Sequence, residues 1–213
     1  MKTTSMSRIW LRAWLSVTTL LRDQSGIAAT EFAVIVPIML VMFFGTVEFS
    51  SGLAVDRKVT LVARTLSDLT SQSPAAVDDS YLKNVFTASI AILAPYSATP
   101  TQATLSEIYV DSNKIAKIQW SKAATIASGA TQATLTTSSH NAVDTIAIPS
   151  GLLVKQTYLI LSEVRYLYTP TVGYVMGKAG VTLSDVTFTR PRQNTCVDYP
   201  AVVPPAVPCT PVP

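Results

Sequence analysis

The sequence predicts an α+β protein: one long N-terminal helix with a membrane-spanning first half, then a small domain combining a second helix with an antiparallel β-sheet. Three observations predict it. The first is the run Ile27 to Phe49, whose only charged residues are Glu31 and Glu48, long enough to reach the roughly 20 residues that a helix needs to cross hydrocarbon. The second is Gly52, Val55, Val59, Val62, Leu66 and Leu69, which repeat at alternating steps of three and four and carry the helix onward. The third is a set of alternating or apolar runs in the second half, separated by turn-forming clusters.

Composition fits that division. Of 213 residues, 48% are hydrophobic and 14% charged, against about 25% charged in an average soluble domain. Mean hydropathy is +0.35. Beyond the apolar run the chain is rich in Ala, Thr, Ser and Val, as in a weakly charged β-containing domain. A net charge of +3 without a basic face or a nucleic-acid motif sets nucleic acid aside as a partner.

The element order follows. Residues 1–26 form a basic leader with Lys2, Arg8, Arg12 and Arg22 against Asp23. Residues 27–49 form the transmembrane helix, interrupted by Pro37, a residue tolerated in membrane helices, usually with a kink. Residues 50–70 form a helical stem whose apolar stripe packs on its own domain rather than in a coiled coil. The charges after the span nearly balance, so the positive-inside bias puts the N-terminus in the cytoplasm and the following domain outside. A cleaved secretory signal is the competing reading. The run is longer than an ordinary apolar signal core, it holds an acid near its start, and Gly45-Thr46-Val47 is a poor cleavage match.

Residues 71–192 form the extracytoplasmic α+β domain. Val77 to Leu93 reads as the second helix, with Asp78 or Asp79 at its start, Pro95 beyond its end, and Leu82, Val85, Phe86, Ser89, Ile90 and Leu93 on one face. Thr104–Val110 and Ile115–Trp120 flank a turn at Asp111–Lys114 and read as a hairpin. Ala123–Asn141 reads as a loop or an exposed edge. Leu153–Tyr168 is the strongest strand, and Val181–Thr189 closes the sheet. Residues 193–213 form a proline-rich tail. Cys196 and Cys209 lie in it without Cys/His ligand spacing, and export favours a disulfide between them over two free thiols.

No metal or cofactor motif is present, and no catalytic constellation. The single histidine, His140, stands in a Ser/Thr-rich stretch and reads as an isolated surface residue. The chain does not read as an enzyme.

What remains is the layout Ser25-Gly26-Ile27-Ala28-Ala29-Thr30-Glu31-Phe32. A basic leader ends in glycine, an apolar helix begins, and an acid stands at its fifth position, as at a type IV prepilin processing site. Cleavage between Gly26 and Ile27 would create a cationic amine able to neutralise Glu31 of a neighbouring subunit and set register between helices. Alternatively, Glu31 is an interfacial acid favoured by the helix dipole. The wider string, with Gly26, Ala28, Ala29, Glu31, Phe32, Ala33, Pro37, Gly45, Glu48 and Phe49, resembles the TadE-like family, pilin-like proteins of the tight-adherence pilus system. Glu163–Pro170 and Val181–Arg192 look like the closing strands of such proteins. Thr30 departs from the pattern, where a more apolar residue is usual. The resemblance implies a pilin-like helix, an inner-membrane or pilus-associated minor subunit, a prepilin peptidase as processing enzyme, and other pilin-like subunits and assembly machinery as partners. The alternative is an uncleaved, membrane-tethered extracytoplasmic binding or adhesion module.

Overall fold

The computed structural model describes residues 25–73, 76–99, 101–170, 180–200 and 209. The leader as far as residue 24 and most of the proline-rich tail lie outside them. The architecture is α+β, as the sequence predicts. Helix α1 spans Ser25–Ser71, helix α2 Asp79–Ile90, and the strands are β1 (Thr101–Val110), β2 (Ala116–Thr125), β3 (Thr134–Thr136), β4 (Thr157–Tyr168) and β5 (Val181–Thr189). The chain divides into two compact units, the first ending at Val47 and the second running from Glu48.

In the first unit, α1 is unbroken through Pro37. An 18-residue window of this helix has a mean hydropathy of 2.3, and none of that window is buried. A core helix of a soluble protein would bury such a surface.

In the second unit the five strands form one antiparallel sheet in the order β3-β2-β1-β4-β5. The remainder of α1 and α2 pack on one face. Val55, Val59, Val62 and Leu66 are fully buried in the same core as Leu82, Phe86 and Ile90 of α2 and Leu105, Ile160 and Val164 of the sheet. The stripe therefore packs on its own domain. Each aliphatic side chain so enclosed contributes about 1.5–3 kcal/mol. The opposite face has a smaller core, Ile108, Val110, Ile118, Leu159 and Leu161, covered by Ile146, Ile148, Leu152 and Leu153.

A β-bulge lets β2 serve both cores. Glu107 pairs with Trp120 but Ile108 pairs with Ile118, so Gln119 is the extra residue and the alternation of β2 reverses there. Ala116 and Ile118 join the smaller core, Trp120 and Ala124 the larger.

Element boundaries differ locally from the sequence reading. Helix α2 starts two residues later than expected because the Asp78 carboxylate accepts from the Tyr81 amide at 2.7 Å, a side-chain N-cap. It ends in a 3₁₀ turn, Ala91–Leu93. β1 begins at Thr101 rather than Thr104, and β2 continues to Thr125 rather than stopping at Trp120. Ala123–Asn141, read as a loop or edge, supplies the end of β2 and the short edge strand β3. Leu153–Gln156 precedes β4 as irregular chain, with Gln156 at φ 57°. At the start of β5, Gly180 has φ +77°, and a Cβ there would lie 2.7 Å from the Tyr168 carbonyl oxygen, so only glycine fits.

One cation ties the two helices together. Lys58 Nζ donates to the carbonyl oxygens of Ile92 and Ala94 at 2.9 and 2.7 Å, satisfying carbonyls at the end of α2 that its own turns leave open. Lys58→Met keeps the apolar stem of the side chain and removes both bonds. It should lower the unfolding free energy by about 1–2 kcal/mol, read as the shift in urea midpoint at unchanged slope. An unshifted midpoint would show that water replaces the ammonium without cost.

Candidate assembly helix and C-terminal strap

The residues singled out at the start of the helix lie along one exposed rod. Gly26 and Glu31 are exposed, Ile27 is 52% and Phe32 68% exposed, and Pro37 is open as well. A segment apolar on all sides has no place in water, and the alternatives are lipid or other apolar helices. Backbone groups in that setting must be satisfied within the helix, and its hydroxyls behave likewise. Thr30 Oγ1 donates to the Ile27 carbonyl and Thr46 Oγ1 to the Met42 carbonyl, both at 2.8 Å. The departure at Thr30 thus places no unsatisfied polar group in the apolar stretch. Glu31 is the sole carboxylate between Gly26 and Val47.

Glu48, by contrast, is buried, with 3% of its surface exposed. It begins the second unit, one helical turn before the half-buried Gly52. A Cβ on Gly52 would meet the Tyr168 ring at 3.5 Å, so the glycine lets the ring of the last β4 residue lie close to the stem. Burial first, and then the Glu48 charge, raise the Tyr168 phenol above its ordinary pKa.

The cysteines define a second feature. Cys196 and Cys209 are joined by a disulfide with Cα atoms 5.5 Å apart. Cys196, Asp198 and Cys209 bring ligand-type atoms within 4.8 Å of one another, but the two sulfurs are bonded to each other and present no thiolate to a metal. The chain from Cys196 to Tyr199 is a strap across the domain. The Val197 amide donates to Glu107 Oε1 at 2.6 Å, and Trp120 Nε1 donates to the Val197 carbonyl at 2.6 Å. The Val77 amide donates to the Asp198 carbonyl at 2.9 Å, and the Cys209 amide to Asp198 Oδ2 at 2.9 Å. Tyr158 donates its hydroxyl to the Cys209 carbonyl at 3.0 Å. Tyr199, within the stretch that the sequence marks as a proline-rich tail, lies 5.6 Å from the Trp120 ring and hydrogen-bonds Asp79.

The strap closes over a buried acid. Glu107 is 1% exposed, and burial pushes its carboxyl up to about 8, opposed by the Val197 amide and reinforced by the Asp198 charge. Burial, and then Glu107, push the Tyr158 phenol up to about 12. Alternation along β1 puts Glu107 on the face of Ala103 and Leu105, so an inward acid was there to be seen. Its partner lies 90 residues further along the chain, and nothing local points to it.

His140 corrects the sequence reading of an isolated surface residue. Its Nε2 lies 2.6 Å from Glu163 Oε2, and each side chain is only about a quarter exposed, at 26% and 24%. The two are 23 residues apart and meet on the outer face of the sheet, where the segment after β3 is held to β2 by Ser138 on Ser121 and by Val143 on Ile118.

No curated protein and no solved structure matches the chain. A family model, TadE-like protein, matches residues 26–66, which takes in Gly26, Glu31, Pro37, Gly45, Glu48 and the buried stripe as far as Leu66. That family is structural rather than enzymatic, and its proteins are pilin-like. The match starts at Gly26 and stops before the β-domain begins, so it covers the exposed rod and most of the stem and nothing after them. Residues 26–66 are thus similar to the TadE-like family, a likeness carried by this helix alone and not by the domain that follows it.

Proposed function

We propose that this protein is a minor pilin or pseudopilin that takes part in assembly of a tight-adherence type pilus. In this reading a prepilin peptidase cuts between Gly26 and Ile27. The helix from Ile27 crosses the inner membrane with its N-terminus on the cytoplasmic side, and the second unit stands outside the cytoplasm. Its partners are other pilin-like subunits and the assembly machinery, and it performs no catalysis. The observation that carries the reading is the exposed apolar rod with a lone carboxylate five residues after Gly26. A carboxylate there costs up to about 2.5–3.5 kcal/mol in the hydrocarbon, less near its edge, and a neighbour's new α-amine removes that cost. The basic residues of the leader support the orientation.

Mass spectrometry of the membrane-extracted protein tests the processing step. In cells with the peptidase the chain should begin at Ile27, and in cells without it at Met1. An N-terminus at Met1 in both would overturn processing and favour the uncleaved tethered module.

A further inference from the structure

The outer face of the sheet changes character along its length. At one end it carries the smaller apolar core. At the other it opens into a concavity of about 340 Å³, at the lower end of the roughly 300–1,000 Å³ of small-molecule sites. Gln102 and Thr104 of β1, Thr136 of β3, and Glu163 and Arg165 of β4 line it together with His140. Strand register builds the wall: Gln102 stands directly opposite Arg165, and Thr104 opposite Glu163. These side chains share a face because they alternate with the inward Ala103 and Val164.

The two charged residues are not equivalent. Glu163 is engaged by His140 at 2.6 Å. Among the described residues Arg165 has no ion-pair or hydrogen-bond partner, and its side chain is exposed at the pocket wall. A guanidinium offers a planar fork of donors that matches a carboxylate in two parallel bonds. Glu163 stands two residues from that fork on the same strand face, so the site is near neutral and unsuited to a dianion such as phosphate. Apart from His140 and two alanines, Ala123 and Ala124, the rest of the lining is amide and hydroxyl, groups that both donate and accept and so match a ring bearing hydroxyls.

We propose that this pocket binds a carboxylate-bearing sugar, a hexuronic acid, with its carboxylate on Arg165 and its hydroxyls on Gln102, Thr104 and Thr136. The sugar is either a free acid or the end of a glycan chain, and the site is independent of the processing and assembly assigned to the helix.

Calorimetric titration of the full chain, in a detergent without a sugar headgroup, tests the site. Glucuronate should bind in the millimolar range or better, with glucose and inorganic phosphate each weaker by at least about tenfold. Arg165→Gln should lose glucuronate binding by a similar factor at an unchanged melting temperature. Glu163→Gln, which removes the neighbouring negative charge, should keep or tighten it. A glucuronate-terminated disaccharide that binds more tightly than the monosaccharide identifies a glycan end, and equal binding identifies the free acid. Glucuronate that fails to bind, that binds no better than glucose or phosphate, or that binds Arg165→Gln as well as the parent overturns the assignment. So does loss of binding in Glu163→Gln with Arg165→Gln unaffected.

Discussion

Replacing Glu31 by alanine is expected to leave the protein in the membrane and to suppress pilus assembly. The two effects separate because the carboxylate acts differently in each. For insertion it is a burden, up to about 2.5–3.5 kcal/mol at mid-membrane on insertion scales, so alanine makes the helix a better span. In an assembly of apolar helices it is the one side chain between Gly26 and Val47 able to meet a cation, and under the proposed processing the amine exposed at Ile27 would be the cation that a neighbour supplies. Removing one partner of a buried charge pair costs about 3–5 kcal/mol, because the other is left buried alone. At about 1.4 kcal/mol per tenfold, incorporation per subunit should weaken by a hundredfold or more. The measurement is the amount of assembled pilus per cell beside the amount of membrane-inserted protein by fractionation. Normal piliation with normal insertion would reduce Glu31 to an interfacial acid held by the helix dipole. Loss of both would point to a defect in export instead.

That experiment depends on features that are one-dimensional, and such features were legible. The long apolar helix follows from hydropathy, and the stripe through Val55, Val59, Val62 and Leu66 follows from a step of 3.6 residues that needs no knowledge of the rest of the chain. β5 was placed at its full extent, because alternation and the turn residues on either side define it locally. The remainder depends on which strand lies beside which. The bulge at Gln119 exists only in the pairing of Glu107 and Ile108 with β2, and it reverses which face the later residues of β2 serve. His140 looked isolated because its partner is reached through tertiary structure. The strap looked like the root of a loose tail because proline content predicts what a segment cannot form, and says nothing of where its backbone amides find acceptors. Asp198, Trp120 and Glu107 carry no motif. They become a site only when the sheet places Trp120 opposite Glu107 and the disulfide holds Cys196 against Cys209.

The strap makes the stability of the second unit fall with rising pH, and Glu107→Gln should abolish that slope. The Glu107 carboxyl, with an ordinary value of 4.5, is pushed up to about 8 in the folded domain, burial being the largest cause. Below about 4.5 the folded and unfolded chains both hold the proton, and the group is neutral to stability. Between 4.5 and about 8 the folded domain retains a proton that the unfolded chain releases, so stability declines as pH rises. Above about 8 the folded state ionises too, and the decline stops. At about 1.4 kcal/mol per pH unit the full loss is on the order of 4–5 kcal/mol. Glutamine keeps the shape and an oxygen to accept from the Val197 amide at the position where Glu107 Oε1 now lies, and it never ionises. The variant should therefore match the parent near pH 4.5, within the cost of placing one extra amide donor, and exceed it by several kcal/mol at pH 8. Urea unfolding at both pH values, followed by near-ultraviolet circular dichroism, reads the difference, and titrations common to both proteins cancel in it. Parallel pH profiles for parent and variant would mean that Glu107 ionises with an ordinary pKa despite its burial. A downward offset common to both pH values on such parallel profiles would mean, in addition, that the acid holds Val197 through a bond the amide cannot replace. The predicted divergence, equal at low pH and several kcal/mol apart at high pH, is specific to a carboxyl that is protonated while the strap is closed.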